Sequence, residues 1–256
     1  MFNRVKKTYV IAFCVMSLMA SVMGCSSGDL SESATPEGAF KAAEEFEKDE
    51  RYEEAITKFN EVKNKHPYSR YAVEAELHVA DIHYKKESYL EAQNAYQLFK
   101  DFHPKNPKID YVTYRLAMSY YLQLPDTTDR DLSPAYKAVQ FFDEVINSYS
   151  TSQYVKESTD KKNEALRMLA EKEAYIGNFY YIRNIYDSAM KRYDELVKKY
   201  PDRGFDEEAL YRAGVSAFET GNKDLGKQYI QQLLAKYPNG SYASNGKSAL
   251  EKYGNR

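Results

Sequence analysis

The chain has 256 residues, with 36 Lys and Arg, 38 Asp and Glu, and a formal net charge of -2 at pH 7. This balance excludes the strongly basic surface of a typical nucleic-acid-binding protein, and two cysteines are too few for a disulfide-rich scaffold. Tyrosine is abundant, with 25 residues, and tryptophan is absent. Tyrosines at helical spacing usually fill a core, so only the surplus is expected to line a binding surface.

The first 24 residues have the pattern of a secretory signal peptide. Arg4, Lys6 and Lys7 form a basic start without acidic residues, and an apolar stretch follows from Tyr9 to Met23. This stretch is shorter than the roughly 20 residues that a helix needs to cross a bilayer. We therefore predict a signal peptide over residues 1–24, and a retained membrane anchor is the weaker interpretation.

The signal ends in Val22-Met23-Gly24-Cys25, which resembles the bacterial lipobox. The resemblance implies cleavage before Cys25, lipidation of its thiol and acylation of the new amino group. Several acyl chains hold a protein to a membrane far better than one. An ordinary signal peptide with Cys25 at the boundary is the alternative. By analogy, Ser26 favours the periplasmic face of the outer membrane, and residues 25–36 are predicted to be a lipidated flexible tether.

A repeated frame follows the tether, in which a small residue precedes a bulky one on the same helix face and a proline then stops the helix. The frame occurs as Tyr52-x-x-Ala55-x3-Phe59-x7-Pro67, Tyr89-x-x-Ala92-x3-Tyr96-x7-Pro104, Tyr186-x-x-Ala189-x3-Tyr193-x7-Pro201 and Asn222-x3-Gly226-x3-Ile230-x7-Pro238. A degenerate copy, Ala138-x3-Phe142-x6-Tyr149, has Ser150 in place of the proline. The spacing is close to the roughly 34 residues of a tetratricopeptide repeat.

This frame predicts an all-α solenoid of five tetratricopeptide-like helix-pair repeats over residues 37–256. The predicted units are roughly 37–70, 71–108, 109–152, 153–203 and 204–240, followed by a C-terminal capping helix over 241–253. An insertion from Leu124 to Asp131 separates the helices of the third unit. The stretch from Gln153 to Arg183 is predicted to be a long helix that packs the third unit against the fourth, or alternatively a joint between two halves.

No arrangement of residues points to catalysis. The four histidines, at positions 66, 78, 83 and 103, include a pair five residues apart, His78 and His83, which do not share a helix face as zinc ligands would. Phosphate-binding loops and nucleophile elbows are not found, and adjacent carboxylates such as Glu53-Glu54 are typical of solvated helix faces. We therefore expect no catalytic residue, metal site or cofactor. A cell-wall hydrolase whose carboxylates converge in the fold is the alternative from another class.

Several motifs resemble the BamD family, the tetratricopeptide lipoproteins of the machine that assembles β-barrels in the outer membrane. They are His103-Pro104, Ile109-Asp110-Tyr111-Val112-x-Tyr114-Arg115, Asp129-Arg130-Asp131, Tyr149-Ser150-x-Ser152-Gln153-Tyr154 and Glu173-x2-Ile176-Gly177-x2-Tyr180-x2-Arg183-x2-Tyr186-x-Ser188-Ala189-x2-Arg192. The resemblance covers nearly all of the chain after the signal peptide. Ser150 stands where the family usually has proline, Gly177 where it has alanine, and the tail after Asn239 is longer than in some members.

The resemblance implies a lipid-anchored adaptor that docks on the β-barrel assembly subunit with periplasmic repeat domains. It also implies a small accessory lipoprotein and unfolded β-barrel precursors as partners. Arg192 matches the position that contacts the assembly subunit, and Arg183 and Glu195 are predicted to bind partners beside it. The alternative is a surface ion pair between Arg192 and Glu195.

Precursor binding is assigned to Tyr68, Tyr71 and Tyr84, although their spacing suits buried packing equally well. Asp110 and Tyr111 are interpreted as packing residues of the third unit. Another tetratricopeptide lipoprotein, such as a secretin pilotin or an envelope coordinator, is the alternative to the assembly function.

Overall fold

The computed structural model describes residues 35–254, which form eleven α-helices and no strand. The helices are α1 (Pro36–Lys48), α2 (Tyr52–Lys65), α3 (Arg70–Lys85), α4 (Tyr89–Phe102), α5 (Ile109–Tyr121), α6 (Ser133–Ser148), α7 (Val155–Tyr181), α8 (Tyr186–Lys199), α9 (Asp206–Glu219), α10 (Lys223–Lys236) and α11 (Ala243–Gly254). The predicted signal peptide, Cys25 and nearly all of the tether lie outside the described residues. The chain divides into two compact units, Met1–Ile82 and His83–Arg256.

The small and bulky residues of the repeated frame are buried, which explains why they recur. Each pair lies on the second helix of a helical hairpin, four residues apart, and so faces the same neighbours. The buried pairs are Ala55 with Phe59, Ala92 with Tyr96, Ala138 with Phe142, Ala189 with Tyr193 and Gly226 with Ile230. The predicted all-α fold of helix-pair repeats is confirmed.

In the first of these two compact units, α1, α2 and part of α3 enclose a small aromatic core. Phe40 packs on Phe59 with ring centroids 5.3 Å apart, and the His78 ring stacks on Phe59 at 4.9 Å. His78 Nδ1 also lies 2.6 Å from the Glu47 carboxylate. These contacts pack the partly exposed His78 against the core of the unit.

In the second compact unit, each helix from α4 to α11 packs against the next one along the chain. The first helices of successive hairpins also touch, as α5 touches α7, α7 touches α9 and α9 touches α11. This pattern is expected when each helix pair buries its apolar face only against its neighbours. The continuous helix α7 lies wholly within this unit and packs against both α6 and α8, as expected of a long helix that joins the third repeat to the fourth.

Four of the hairpins share one turn geometry between their two helices. A residue in the left-handed region follows the first helix, with φ between 57° and 82°: Glu50, Glu87, Asn184 and Gly221. The next residue then donates its backbone N–H to a carbonyl in the last turn of the first helix, as Asn222 does to Ala217 at 2.9 Å. This arrangement satisfies a helix-end carbonyl that would otherwise lack a donor. The hairpin of α5 and α6 carries the insertion instead.

The second helix of every hairpin ends in nearly the same conformation. The residues His66, His103, Tyr149, Tyr200 and Tyr237 have φ between -123° and -132° and ψ between 49° and 61°. A proline restricts its preceding residue to such non-helical values, but Tyr149 is followed by Ser150. The same geometry at Tyr149 shows that the following proline is not required for it.

The insertion before α6 is held by specific hydrogen bonds. The Asp131 carboxylate accepts from the Ser133 backbone N–H at 3.0 Å and from the Ser133 hydroxyl at 2.7 Å, at the first residue of α6. Lys172 Nζ on α7 donates to the Arg130 carbonyl at 2.6 Å. The segment is therefore anchored at both α6 and α7.

Candidate partner-binding site

Arg192 lies on α8 and forms an ion pair with Glu173 on α7. Its Nη1 atom donates to Glu173 Oε2 at 3.1 Å, with 40% of the Arg192 side chain and 12% of the Glu173 side chain exposed. Glu195 instead lies 3.6 Å from Lys199, so the alternative of an Arg192–Glu195 pair is not what the structure contains. Arg192 is held in place by Glu173 while two-fifths of its side chain remains accessible to a partner.

Arg183 lies in the turn between α7, which ends at Tyr181, and α8. Its guanidinium carbon is 3.7 Å from the centroid of the Phe179 ring, and its Nη1 atom donates to the Phe179 carbonyl at 2.9 Å. The stacked ring limits the orientations of the guanidinium without neutralising its charge. Arg183 is therefore an exposed, oriented cation.

A buried polar network supports this part of α7 and α8. A Cβ atom on Gly177 would come within 2.9 Å of the Tyr193 ring, so α7 and α8 approach closely there. Tyr193 Oη accepts from Arg212 Nη1 at 3.1 Å, and Arg212 also donates to Asn178. Burial raises the pKa of Tyr193 to about 12. The network joins α7, α8 and α9.

An open cavity of about 780 Å³ lies between the insertion and α7. Asp126, Asp129 and Glu171 contribute carboxylates to its lining, and Tyr121 and Tyr175 contribute aromatic rings. A hydrogen bond from Thr127 lowers the pKa of Asp129. The cavity shows that the insertion forms one wall of an accessible surface beside α7.

The three tyrosines predicted to bind precursors occupy different environments. Tyr68 is fully exposed in the turn after α2, whereas Tyr71 packs on Phe40 with ring centroids 5.5 Å apart. Tyr84 lies in the second compact unit, where the Arg115 guanidinium carbon is 4.4 Å from the centroid of the Tyr84 ring. Of the three, only Tyr68 is exposed, while Tyr71 and Tyr84 contribute to packing.

Asp110 and Tyr111 connect α5 to the turn that precedes α7. The Ser152 hydroxyl donates to Asp110 Oδ2 at 2.7 Å, and the Tyr111 ring lies 5.7 Å from that of Tyr154. These contacts fit their interpretation as packing residues of the third unit.

Sequence patterns did not reveal a group of exposed apolar side chains near Arg183, namely Tyr175, Phe179, Ile182 and Ile185. Their spacing is the same as that of a buried helix face, so the sequence offers no signal that would separate the two. Within residues 35–254, no group of three or more His, Cys, Asp or Glu side chains is placed to hold a metal ion. In the same range, no helix is both long and apolar enough to span a membrane.

Comparison with known proteins agrees with this architecture. A family model described as an outer membrane lipoprotein, YfiO, matches residues 32–220, and a tetratricopeptide-repeat model matches residues 208–240. The second match includes α9 and α10 and confirms the type of repeat.

Three curated relatives each carry the name outer membrane protein assembly factor BamD. The protein from Rickettsia prowazekii is 30% identical over 205 residues, covering 80% of this chain and 81% of the relative. The protein from Caulobacter vibrioides is 28% identical, covering 63% of this chain and 52% of the relative. The protein from Neisseria meningitidis is 23% identical, covering 76% of each. This chain therefore belongs to the family of outer membrane lipoproteins that includes the BamD assembly factors.

Proposed function

We propose that this protein is a lipid-anchored scaffold that aids the folding and insertion of β-barrel proteins into the outer membrane. The observation that carries the proposal is the family match over residues 32–220, together with the assembly role named in the relatives. Helix-pair repeats are interaction platforms, and this supports a scaffold that catalyses no reaction. The proposed anchor is Cys25, followed by a tether that reaches residue 36 and by the five repeat units predicted above.

The surface formed by α7 and α8 is the proposed docking site for a β-barrel assembly subunit with periplasmic repeat domains. Arg192 is oriented by Glu173 and partly exposed, so its remaining N–H donors can bind a partner carboxylate in a bidentate manner. Arg183 contributes a second cation from the turn that follows α7. Glu195, which is partly exposed beside Lys199, is proposed to contribute at the edge of this surface.

Tyr68 is the proposed contact for unfolded β-barrel precursors in the first unit. Its exposed ring can pack against aromatic side chains of a precursor without disturbing the unit's core. A photo-crosslinker at position 68 is expected to capture precursors in cells, and one at the packed position 84 serves as the control. Failure to capture at position 68 would remove direct precursor binding from the proposal.

The whole proposal is tested by purifying the lipidated protein from membranes in mild detergent through a C-terminal tag. We expect a β-barrel protein with periplasmic repeat domains to co-purify in stoichiometric amount, together with a small lipoprotein. Recovery of a secretin or of cell-wall enzymes would favour a pilotin or an envelope coordinator. A cell-wall hydrolase would instead lack stable partners and would lose activity when a carboxylate pair is mutated.

A further inference from the structure

Arg115 on α5 lies within a group of tyrosine rings. Its guanidinium carbon is 4.4 Å from the ring centroid of Tyr84, 5.2 Å from that of Tyr111 and 5.8 Å from that of Tyr114. Its Nε atom also donates to the Tyr111 hydroxyl at 3.1 Å. Because a guanidinium is attracted to the faces of aromatic rings, these contacts orient it. Arg115 and the three tyrosines together form the Arg115 cluster.

Tyr154, the residue before α7, supports the Arg115 cluster from the next hairpin. Its ring stacks on that of Tyr114, with centroids 4.6 Å apart and planes inclined by 11°. Tyr114 is buried, and burial, together with the neighbouring Glu157 carboxylate, raises the pKa of Tyr114. The Tyr114 hydroxyl therefore stays protonated at neutral pH and does not neutralise the charge of Arg115.

The positive charge of Arg115 is not paired within residues 35–254. No carboxylate in that range forms an ion pair with it, whereas Arg192 pairs with Glu173 and Arg212 with Glu208. The Arg115 side chain is partly exposed, and its unpaired nitrogen atoms are open to solvent. A guanidinium has five N–H donors, of which Tyr111 occupies one. The four N–H groups of the two Nη atoms are therefore available to an acceptor from another molecule.

We propose that the Arg115 cluster binds an aspartate or glutamate side chain in an extended segment of a partner protein. Two parallel N–H donors of a guanidinium bind a carboxylate well, and the surrounding rings lower the local dielectric and strengthen that bond. The same rings favour apolar or aromatic residues next to the bound carboxylate. The inference follows from the contacts of Arg115 and goes beyond the proposed assembly function, on which it does not depend.

The composition of the Arg115 cluster favours a side-chain carboxylate over other anions. Phosphate sites usually present several backbone N–H groups at a helix N-terminus or in a nest, whereas this cluster presents one guanidinium among rings. A chain-terminal carboxylate is attached directly to the backbone, but an aspartate or glutamate carboxylate is carried on a methylene stem. The stem lets the carboxylate reach a cation that is recessed between rings.

The inference is tested by binding three short peptides to the full-length lipidated protein in mild detergent. The first is acetylated tryptophan-glutamate-tryptophan amide, the second has glutamine in place of glutamate, and the third has glutamine and a free terminal carboxylate. Because the chain has no tryptophan, the fluorescence anisotropy of the peptide reports its binding. We expect the glutamate peptide to bind at least tenfold more tightly than either of the other two.

Variants of the protein locate the carboxylate. Arg115→Gln should abolish the preference for the glutamate peptide, because it removes the cation. Arg51→Gln is the matched control and should keep the preference. Arg51 also lies over a ring, 4.5 Å from the centroid of Phe46, but it already pairs with Glu54 at 3.0 Å. Thermal unfolding shows whether each variant is folded, and Arg115→Lys, which keeps the charge but not the paired donors, should weaken the preference if Arg115→Gln unfolds.

Four results would contradict the inference. Equal affinity of the wild type for the glutamate and glutamine peptides would leave Arg115 as a packing residue. Tighter binding of the peptide with the free terminal carboxylate would assign the Arg115 cluster to chain ends. Displacement of the glutamate peptide by an equal concentration of inorganic phosphate would indicate a general anion site. A preference that persists in folded Arg115→Gln would place the carboxylate elsewhere on the protein.

Discussion

The Arg192–Glu173 pair offers a test that separates docking from folding. Arg192→Glu removes the cation that is proposed to contact the partner, but it also places a second carboxylate beside Glu173, which is only 12% exposed. Exposed ion pairs contribute up to about 1 kcal/mol, whereas breaking a buried pair costs about 3–5 kcal/mol. Because this pair is intermediate in burial, we expect Arg192→Glu to destabilise the protein by about 2 kcal/mol.

This loss corresponds to a fall in the melting temperature of about 4–8 °C for a domain of this size. The charge-swapped protein Glu173→Arg/Arg192→Glu restores an ion pair of opposite orientation and should recover most of that fall. A second double variant, Glu173→Gln/Arg192→Gln, keeps a neutral hydrogen-bonded pair if the larger arginine does not fit at position 173. Thermal unfolding measured by circular dichroism gives the stability of each protein.

Docking is then measured as assembly subunit recovered per tagged protein in mild detergent. If Arg192 touches the partner, both double variants should melt near the wild-type temperature and still recover much less of the subunit. Recovery that returns together with the melting temperature would refute the partner contact. Arg192 would then act only by joining α7 to α8.

Three further predictions concern the turns, the buried tyrosines and the anchor. Glu87→Gly should increase the free energy of unfolding by up to about 1 kcal/mol in urea titrations. Glu87 has a φ of 58°, and the steric cost of a side chain at this φ exceeds the cost of the added flexibility of glycine. A lower urea midpoint would contradict this. Burial raises the pKa of both Tyr181 and Tyr193 to about 12, whereas the unfolded value is about 10. The stability that these protonated side chains contribute is therefore fully present below pH 10 and is lost as the pH rises towards 12. In urea titrations at alkaline pH, Tyr193→Phe should lose less of its free energy of unfolding than the wild type does. Cys25→Ser should release the protein from membranes into the soluble periplasmic fraction, and persistence in the membrane pellet would argue against lipidation there.

The repeat architecture could be predicted because it is encoded locally. A small residue and a bulky one four positions later lie on one helix face, and their recurrence at the repeat length implies that each face meets an equivalent neighbour. Ala92 and Tyr96, like Ala189 and Tyr193, are buried as this argument requires. The degenerate repeat could be recognised without its proline, since Ala138 and Phe142 keep the same spacing.

The sequence alone thus determined the helix pairs, the candidate anchor and the family motifs, all of which depend on residues close together in the chain. Only the tertiary structure decided that Arg192 pairs with Glu173 on the preceding helix and that Tyr71 and Tyr84 are packed while Tyr68 is exposed. It also decided that Phe179 and Ile182 lie on an uncovered face. Periodicity identifies the residues that share a helix face, but only the positions of the neighbouring helices determine whether that face is buried or open to a partner.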